Sequence, residues 1–333
     1  MVKLPPSGWA PGRTPGPLAF VVDIIGVIER SRSGSGAELT DDNAGPRGLR
    51  RLLAGSEPIL APGAYDALSA RLVEQAGFDA VYLTGFGASA SLLGRPDVGL
   101  LSFAEMADQA RRLVAAVRLP VIADADDGYG NAINVARTVR EYEAAGVGGL
   151  HLEDQRSPKR CGHLEGKRLV AASEMTEKIH AAVEARRSAD LVLIARTDAR
   201  AVEGLDAALE RAGRYRDAGA DVLFVEAPQS EAEIAAVAEA FPDVPLVFNA
   251  VEGGRTPPVD LARLRDLGFR IVLCPLTALL AATGAVQQAL ARLRGAQTPA
   301  AADGAPAFSG FTDVIGLPEL QSLEARLAAA PAR

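Results

Sequence analysis

The chain has 333 residues, 48% of them hydrophobic and 23% charged, which is enough for one large barrel or two ordinary domains with a sizeable core. A formal net charge of −7 and a pI near 5.2 argue against nucleic acid or an anionic membrane surface as partner and leave small polar ligands open. The two cysteines, Cys161 and Cys274, fit a reducing compartment better than a disulfide framework, so a cytoplasmic setting is expected.

In chain order, residues 1–17 are rich in Pro and Gly. Leu18–Ile28 is apolar, but Asp23 interrupts it and its length falls short of a hydrocarbon core about 30 Å thick. Lys3 and Arg13 are dispersed and no small-residue cleavage site follows, so no signal peptide is expected. The stretch reads instead as a helix packed on the body or on a partner subunit. Ser31–Gly48 is rich in Gly, Ser and acidic residues, and residues 1–50 together read as an extension with one short helix. Across residues 51–295, short runs rich in β-branched residues alternate with Ala/Leu/Arg/Glu stretches of helical period. The predicted strands are Ile59–Ala61, Ala80–Thr84, Val121–Ala125, Gly149–Glu153, Leu191–Arg196, Val222–Glu226, Leu246–Asn249 and Ile271–Pro275. Eight strand–helix units fit an α/β fold of the (β/α)8 TIM-barrel type better than a doubly wound sheet. Residues 296–333 read as an Ala/Pro/Gly-rich linker and a C-terminal helical segment over Pro318–Leu327.

Polar residues gather where such a barrel carries its chemistry, at the C-terminal ends of the predicted strands. Thr84-Gly85-Phe86-Gly87 follows the second strand, Asp124 and Asp126 the third, Glu153 and Asp154 the fourth. Arg196, Thr197 and Asp198 end the fifth, Glu226 the sixth and Asn249 the seventh. Above apolar strand interiors, a ring of this composition is hard to explain as solvated surface. Its carboxylate density points to a hard divalent cation, since Mg²⁺ takes one or two carboxylates directly and keeps waters for substrate oxygens. Singly, Asp124 and Asp126 read as well as loop or cap residues; with Glu153 they read as a metal site. Zinc is disfavoured, because His151, His163, His180 and the cysteines show no paired ligand spacing.

Lys159-Arg160-Cys161-Gly162-His163 sets a thiol among cations. Those neighbours are expected to favour its thiolate below the ordinary pKa of about 8.5. A group that sheds and regains a proton near neutral pH suits protonation of an enolate or carbanion. A free cysteine is also commonly a small buried hydrophobe, but a Pro/Lys/Arg/Gly-flanked segment between strand and helix reads as a loop that closes over substrate. Cys274, before Pro275, reads as core.

The runs Tyr82-Leu83-Thr84-Gly85, Asp124-Ala125-Asp126-Asp127-Gly128, His151-Leu152-Glu153-Asp154-Gln155, Lys159-Arg160-Cys161-Gly162-His163 and Ala195-Arg196-Thr197-Asp198 resemble the isocitrate lyase/phosphoenolpyruvate mutase superfamily, most closely its 2-methylisocitrate lyase and 2,3-dimethylmalate lyase branches. The resemblance implies a barrel whose last helix is exchanged between subunits of a homotetramer, a dimer of dimers. It also implies Mg²⁺ dependence, with Mn²⁺ as a substitute, and cleavage of a C–C bond in a 2-hydroxy di- or tricarboxylate. By that resemblance Asp124 is the direct metal ligand, and Asp126 and Glu153 hold the metal's water shell. Thr84, Gly85 and Phe86 match a loop that binds a substrate carboxylate, although Phe86 departs from the small residue common there. Asp97 matches a residue near the metal, Arg196 a carboxylate clamp, Glu226 and Asn249 polar wall residues, and Gly162 and His163 substrate contacts of the thiol loop. Cys161 is the candidate acid. Tyr82 is either the base, with help from the metal or Arg196, or a barrel-lining aromatic, and His163 either orients the thiol or shapes the loop.

Other activities compete. Oxaloacetate hydrolases and decarboxylases share the metal site and are the main alternative. Phosphonate-forming mutases typically carry asparagine in place of the thiol loop, isocitrate lyase proper carries extra insertions, and a catalytically dead binding protein sits badly with the intact Asp124, Asp126, Glu153, Cys161 and Arg196 set.

Overall fold

A computed structural model describes residues 44–296 and 304–329. The helix expected over Leu18–Ile28 and most of the expected linker lie outside those residues. Eight parallel strands close into one barrel in chain order: β1 Ile59–Ala64, β2 Val81–Leu83, β3 Val121–Asp124, β4 Gly149–Glu153, β5 Val192–Thr197, β6 Val222–Val225, β7 Leu246–Asn249 and β8 Phe269–Cys274. All eight expected strands are present, β4 and β7 with the expected bounds and the others with ends shifted by one to three residues. Closure is a parallel β1–β8 pairing, Ile59 opposite Ile271 and Leu60 opposite Val272.

Between the strands run α2 Ala67–Gln75, α3 Gly85–Leu93, α4 Phe103–Ala116, α5 Ala132–Ala145, α6 Ala172–Ala185, α7 Ala199–Val202, α8 Leu205–Asp217, α9 Glu231–Ala240 and α10 Leu261–Asp266; α1 Gly45–Ala54 precedes them. Their starts are written in the sequence. Asp66, Ser102, Asn131, Ser230 and Asp260 each cap a helix by accepting a backbone N–H with the side chain.

Two apolar layers follow from the period-2 pleat of the strands. Leu83, Ala123, Leu150, Leu152, Leu193 and Leu223 face outward and meet helix residues such as Leu113, Val139, Ile179 and Ile234. Ile59, Tyr82, Ile122, Ile194, Phe224 and Val247 belong to a second cluster in the barrel interior. Two residues further along five of these strands, the same inward positions become polar: Thr84 after Tyr82, Asp124 after Ile122, Arg196 after Ile194, Glu226 after Phe224 and Asn249 after Val247. A single geometric rule thus fills the barrel with hydrocarbon below and aims polar groups into its mouth.

Helix α1 closes the opposite end. Leu49 is fully buried in the interior cluster, with Leu52 and Leu53 packed beside it. Gly148 and Gly149 leave it room, because a Cβ at either position would run into the Leu49 side chain. Arg50 pairs with Asp221 at 2.7 Å and donates to the Asp190 carbonyl. Residues 45–50 therefore belong to the barrel floor, and the boundary expected at residue 50 runs through this helix.

The chain leaves β8 through α11, Thr277–Ala296, and ends in α12 Phe308–Val314 and α13 Leu317–Ala329. Helix α11 has no buried residue, although Leu280, Val286, Leu290 and Leu293 lie along it, each about half exposed. A helix of this apolar content ordinarily covers its own barrel.

Candidate active site

The barrel mouth collects Asp124, Asp126, Glu153, Arg196, Glu226 and Asn249, as the strand-end pattern requires. Asp124 ends β3 and is nearly buried. Its Oδ1 accepts from the Asp126 N–H at 2.9 Å and its Oδ2 from the Gly85 N–H at 3.2 Å. Glycine is needed at residue 85, since a Cβ would strike that carboxylate oxygen. Asp126 adopts a left-handed φ of 46°, which an aspartate tolerates better than most residues and which turns its carboxylate back into the mouth. Thr84 caps α3 by accepting from Gly87 N–H at 3.2 Å. Its own hydroxyl proton stays free to donate. The Gly85 N–H, expected to bind a substrate carboxylate, is committed to Asp124; Phe86 follows it, half-buried at the start of α3.

Lys159 is the hub of the cation side. Its ammonium is buried between Asp97 Oδ2 at 2.7 Å and Asp126 Oδ1 at 2.6 Å. The sequence reading places Lys159 beside the thiol; the structure sends it to these two carboxylates instead. Burial opposes its charge, but Asp126, Asp124 and Asp97 more than offset that and keep it protonated. Burial also raises the Asp126 carboxyl, to about 7, against the opposing Lys159 ammonium. For Asp124 the upward push of burial is outweighed by His151 when protonated, Lys159 and Arg196, which hold it down at about 2.

Glu153, at the end of β4, is buried with Oε1 unpartnered and Oε2 3.4 Å from Arg196 Nε. Burial drives its pKa well up, with Arg196 opposing. Arg196 lies over the Phe224 ring at 5.1 Å. Its two-pronged edge, expected to clamp a substrate carboxylate, is already occupied: Nε and Nη2 donate to Asp198 Oδ2 and Oδ1 at 3.0 and 3.1 Å. Asp198 lies two residues on along the chain, so the arginine finds a local carboxylate first, and Nη1 is left for a ligand.

The thiol loop lies directly on this group. A Cβ at Gly162 would collide with Arg196 and Glu226, so the glycine brings the loop backbone against both side chains. Cys161 donates its backbone N–H to the Asp97 carbonyl at 3.1 Å. Contrary to the expected thiolate, burial pushes the Cys161 thiol up to about 11, against a backbone hydrogen bond from His163. The cations meant to lower it point elsewhere, and the thiol is protonated at neutral pH. His163 neither touches nor orients the sulfur through its ring. Nδ1 accepts from Arg255 N–H at 3.1 Å, which leaves the proton on Nε2, 3.1 Å from Glu226 Oε1. Glu226 also accepts from Asn249 Nδ2 at 3.2 Å and sits near Arg196. Burial raises it, but Arg196, His163 and Lys167 bring it to about 2.

Tyr82 does not fit the base role. Its hydroxyl is 2.9 Å from His151 Nε2, and burial, reinforced by Asp124, pushes the phenol well above its ordinary range. His151 is held neutral, its pKa lowered to about 4 by burial. The pair is the barrel-lining arrangement.

Besides Lys159, three residues outside the expected set are built into the site. His151 stacks beneath it on Tyr82. Asp198 anchors Arg196, and Lys167, buried in the loop, reaches Asp198 Oδ1 at 3.3 Å. Asp198 carried a visible signal at a strand end, and Lys167 carried none.

The residues fit a divalent cation of the expected kind. Around the mouth, the buried carboxylates of Asp97, Asp124, Asp126, Glu153, Asp198 and Glu226 outnumber the cations Lys159, Lys167 and Arg196. An excess of desolvated negative charge is costly unless neutralised, and Glu153 Oε1 has no partner at all. Among the described residues no three His, Cys, Asp or Glu side chains converge as a direct ligand set.

The family model for phosphoenolpyruvate phosphomutase matches residues 49–294. A 2,3-dimethylmalate lyase of Eubacterium barkeri is 47% identical over 83% of this chain and 96% of its own length. A 2-methylisocitrate lyase of Bacillus subtilis is 45% identical over 72% of this chain and 78% of its own. Among solved structures, oxaloacetate acetylhydrolase with 3,3-difluorooxalacetate superimposes with a TM-score of 0.82 at 39% identity, covering 87% of this chain and 99% of that one. Phosphonopyruvate hydrolase in complex with oxalate and Mg²⁺ gives a TM-score of 0.77 at 34% identity, over 84% and 98%. A barrel with this mouth, matched along almost its whole span, belongs to the phosphoenolpyruvate mutase/isocitrate lyase superfamily.

Proposed function

We propose that this chain is a Mg²⁺-dependent carbon–carbon lyase that cleaves a 2-hydroxy di- or tricarboxylate, of the 2-methylisocitrate or 2,3-dimethylmalate type, to a 2-oxo acid such as pyruvate and a second carboxylic acid. The observation that carries the reading is the seating of the Cys161 loop on the carboxylate-lined mouth, with Gly162 packed against Arg196 and Glu226. The lyase relatives, at 45–47% identity, support the same chemistry.

Asp124 would hold the cation directly, with Asp126 and Glu153 ordering its water shell; Mn²⁺ is an acceptable substitute. When bound, the ion supplies Lewis acidity at the substrate's 2-oxygen. The protein's own groups do the rest. Thr84 Oγ1 and the free edge of Arg196 bind a substrate carboxylate, with Asn249 and Glu226 fixing its orientation. The closed loop excludes water, which strengthens each of these interactions. The 2-hydroxyl proton passes to solvent as the loop seats, cleavage of the C2–C3 bond turns the C2 oxygen into the carbonyl of the 2-oxo acid, and the bonding electron pair passes to C3 as a carboxylate-stabilised carbanion. Cys161 Sγ gives its proton to C3, and the thiolate regains one before the next turnover. A thiol near pKa 11 is a reluctant acid toward water and an adequate one toward a carbanion.

Oxaloacetate hydrolysis is the second reading, favoured by the close superposition on oxaloacetate acetylhydrolase. The assembly we propose is a homotetramer, a dimer of dimers with α11 exchanged between subunits; the uncovered leucines and valine of α11 support it. Among the described residues no helix is long and apolar enough to cross a membrane. The two free cysteines support a cytoplasmic setting.

Release of 2-oxo acid, followed with Mg²⁺ and with EDTA across 2-methylisocitrate, 2,3-dimethylmalate, isocitrate and oxaloacetate, tests the reaction. Pyruvate plus succinate from 2-methylisocitrate, or pyruvate plus propionate from 2,3-dimethylmalate, lost in EDTA, is expected; oxalate plus acetate from oxaloacetate alone would replace the lyase by the hydrolase. Cys161→Ser is expected to lower kcat by about 10²–10⁴ with KM and Mg²⁺ affinity kept, and unchanged turnover would remove Cys161 as the acid. Sedimentation equilibrium should give four chains per particle, whereas a monomer would rule out the exchanged helix.

A further inference from the structure

Asp198 is fully buried and shared between two cations that belong to different parts of the molecule. One is Arg196, on β5, which it holds from both prongs. The other is Lys167, whose ammonium lies 3.3 Å from Oδ1 and also donates to the Gly162 carbonyl, one residue from Cys161. Asp198 is itself fixed from behind: its backbone N–H donates to Asp154 Oδ1 at 2.9 Å. The other Asp154 oxygen takes Thr197 Oγ1 at 2.7 Å and Tyr215 OH at 2.8 Å. The base of the thiol loop is zipped as well, by Arg156 N–H to the Arg168 carbonyl at 2.7 Å and a bridge between Gln155 and Leu169. Lys167 is therefore the first residue inside the free span, and it reaches from a rigid base to the middle of the loop.

We infer that Lys167 is a positioning residue, a latch that holds the Cys161 loop closed by tying the Gly162 carbonyl to the Asp198 carboxylate. Closure of the loop and orientation of the substrate-facing arginine then share one carboxylate. An isolated surface lysine has no reason to be buried here, since the cost of desolvating an ammonium is recovered only by a carboxylate and a carbonyl placed to receive it. Gln155 to Arg160 and Lys159 to Asp97 and Asp126 grip the first half of the loop, and the His163 ring meets Glu226 and Arg255 beyond it; Lys167 ties the Gly162 carbonyl to Asp198, just past the end of β5.

The latch rests on the Cys161 loop being the lid of the proposed lyase site, yet it can be read without any substrate. In the full-length protein, the alkylation rate of Cys161 by N-ethylmaleimide is followed by peptide mass, with buried Cys274 as the internal gauge of global unfolding. Lys167→Met is expected to speed Cys161 labelling about tenfold or more while Cys274 is unchanged, the size expected for losing a buried charged hydrogen bond. Lys167→Arg, which keeps a cationic donor, should restore most of the protection. Removing a cation by itself disfavours the thiolate and would slow labelling, so an increase reports opening. Unchanged Cys161 labelling in Lys167→Met, or equal acceleration of both cysteines, would overturn the latch. Failure of every acid to turn over in the wild type would instead sink the lyase reading and leave this comparison standing.

Discussion

Negative charge stripped of water has to be balanced where it sits, and the mouth of this barrel is arranged around that requirement. The strands supply the charge automatically: on five of them the last apolar inward position is followed, two residues later, by a polar one. Hydrocarbon below, closed by Leu49 of the floor helix, keeps solvent from entering underneath. Lys159 and Arg196 are then fixed by the carboxylates they serve, Lys159 between Asp97 and Asp126 and Arg196 by Asp198. Neither cation is a free arm waiting for substrate. What they leave unpartnered, the buried Oε1 of Glu153, is what a hydrated divalent ion would complete.

The same balance sets the state of the reactive groups. Because the cations are committed to carboxylates, Cys161 feels burial more than charge and remains a thiol. Tyr82 and His151, deeper in the barrel, are both kept neutral by burial. The loop that brings Cys161 to the site approaches by its backbone, through Gly162, and not by a large side chain. Such contact demands close fit, as a loop that excludes water during a reaction requires.

Much of this was legible in the sequence. Alternating apolar runs located all eight strands, and the polar residues at their ends located the mouth, because the pleat makes strand position and side-chain direction one and the same fact. What could not be read was partnership. Lys159 and Cys161 are two residues apart, yet they face different groups, since a loop has no period from which direction follows. Arg196 spends its paired donors on Asp198, a contact that depends on β5 ending where it does. Lys167 carries no motif at all, and only the fold shows it buried. The floor helix was likewise hidden: Gly45–Ala54 looks like the end of a polar tail until Gly148 and Gly149 make space for Leu49.

The central claim is that the buried carboxylates form a one-ligand cation site at Asp124. Mn²⁺ binding to the full-length protein, read by electron paramagnetic resonance and competed with Mg²⁺, tests it without substrate. Wild type should take up one Mn²⁺ per chain that Mg²⁺ displaces, and Asp124→Asn should lose that binding while remaining folded. Equal binding by wild type and Asp124→Asn, or none by a folded wild type, would contradict the account.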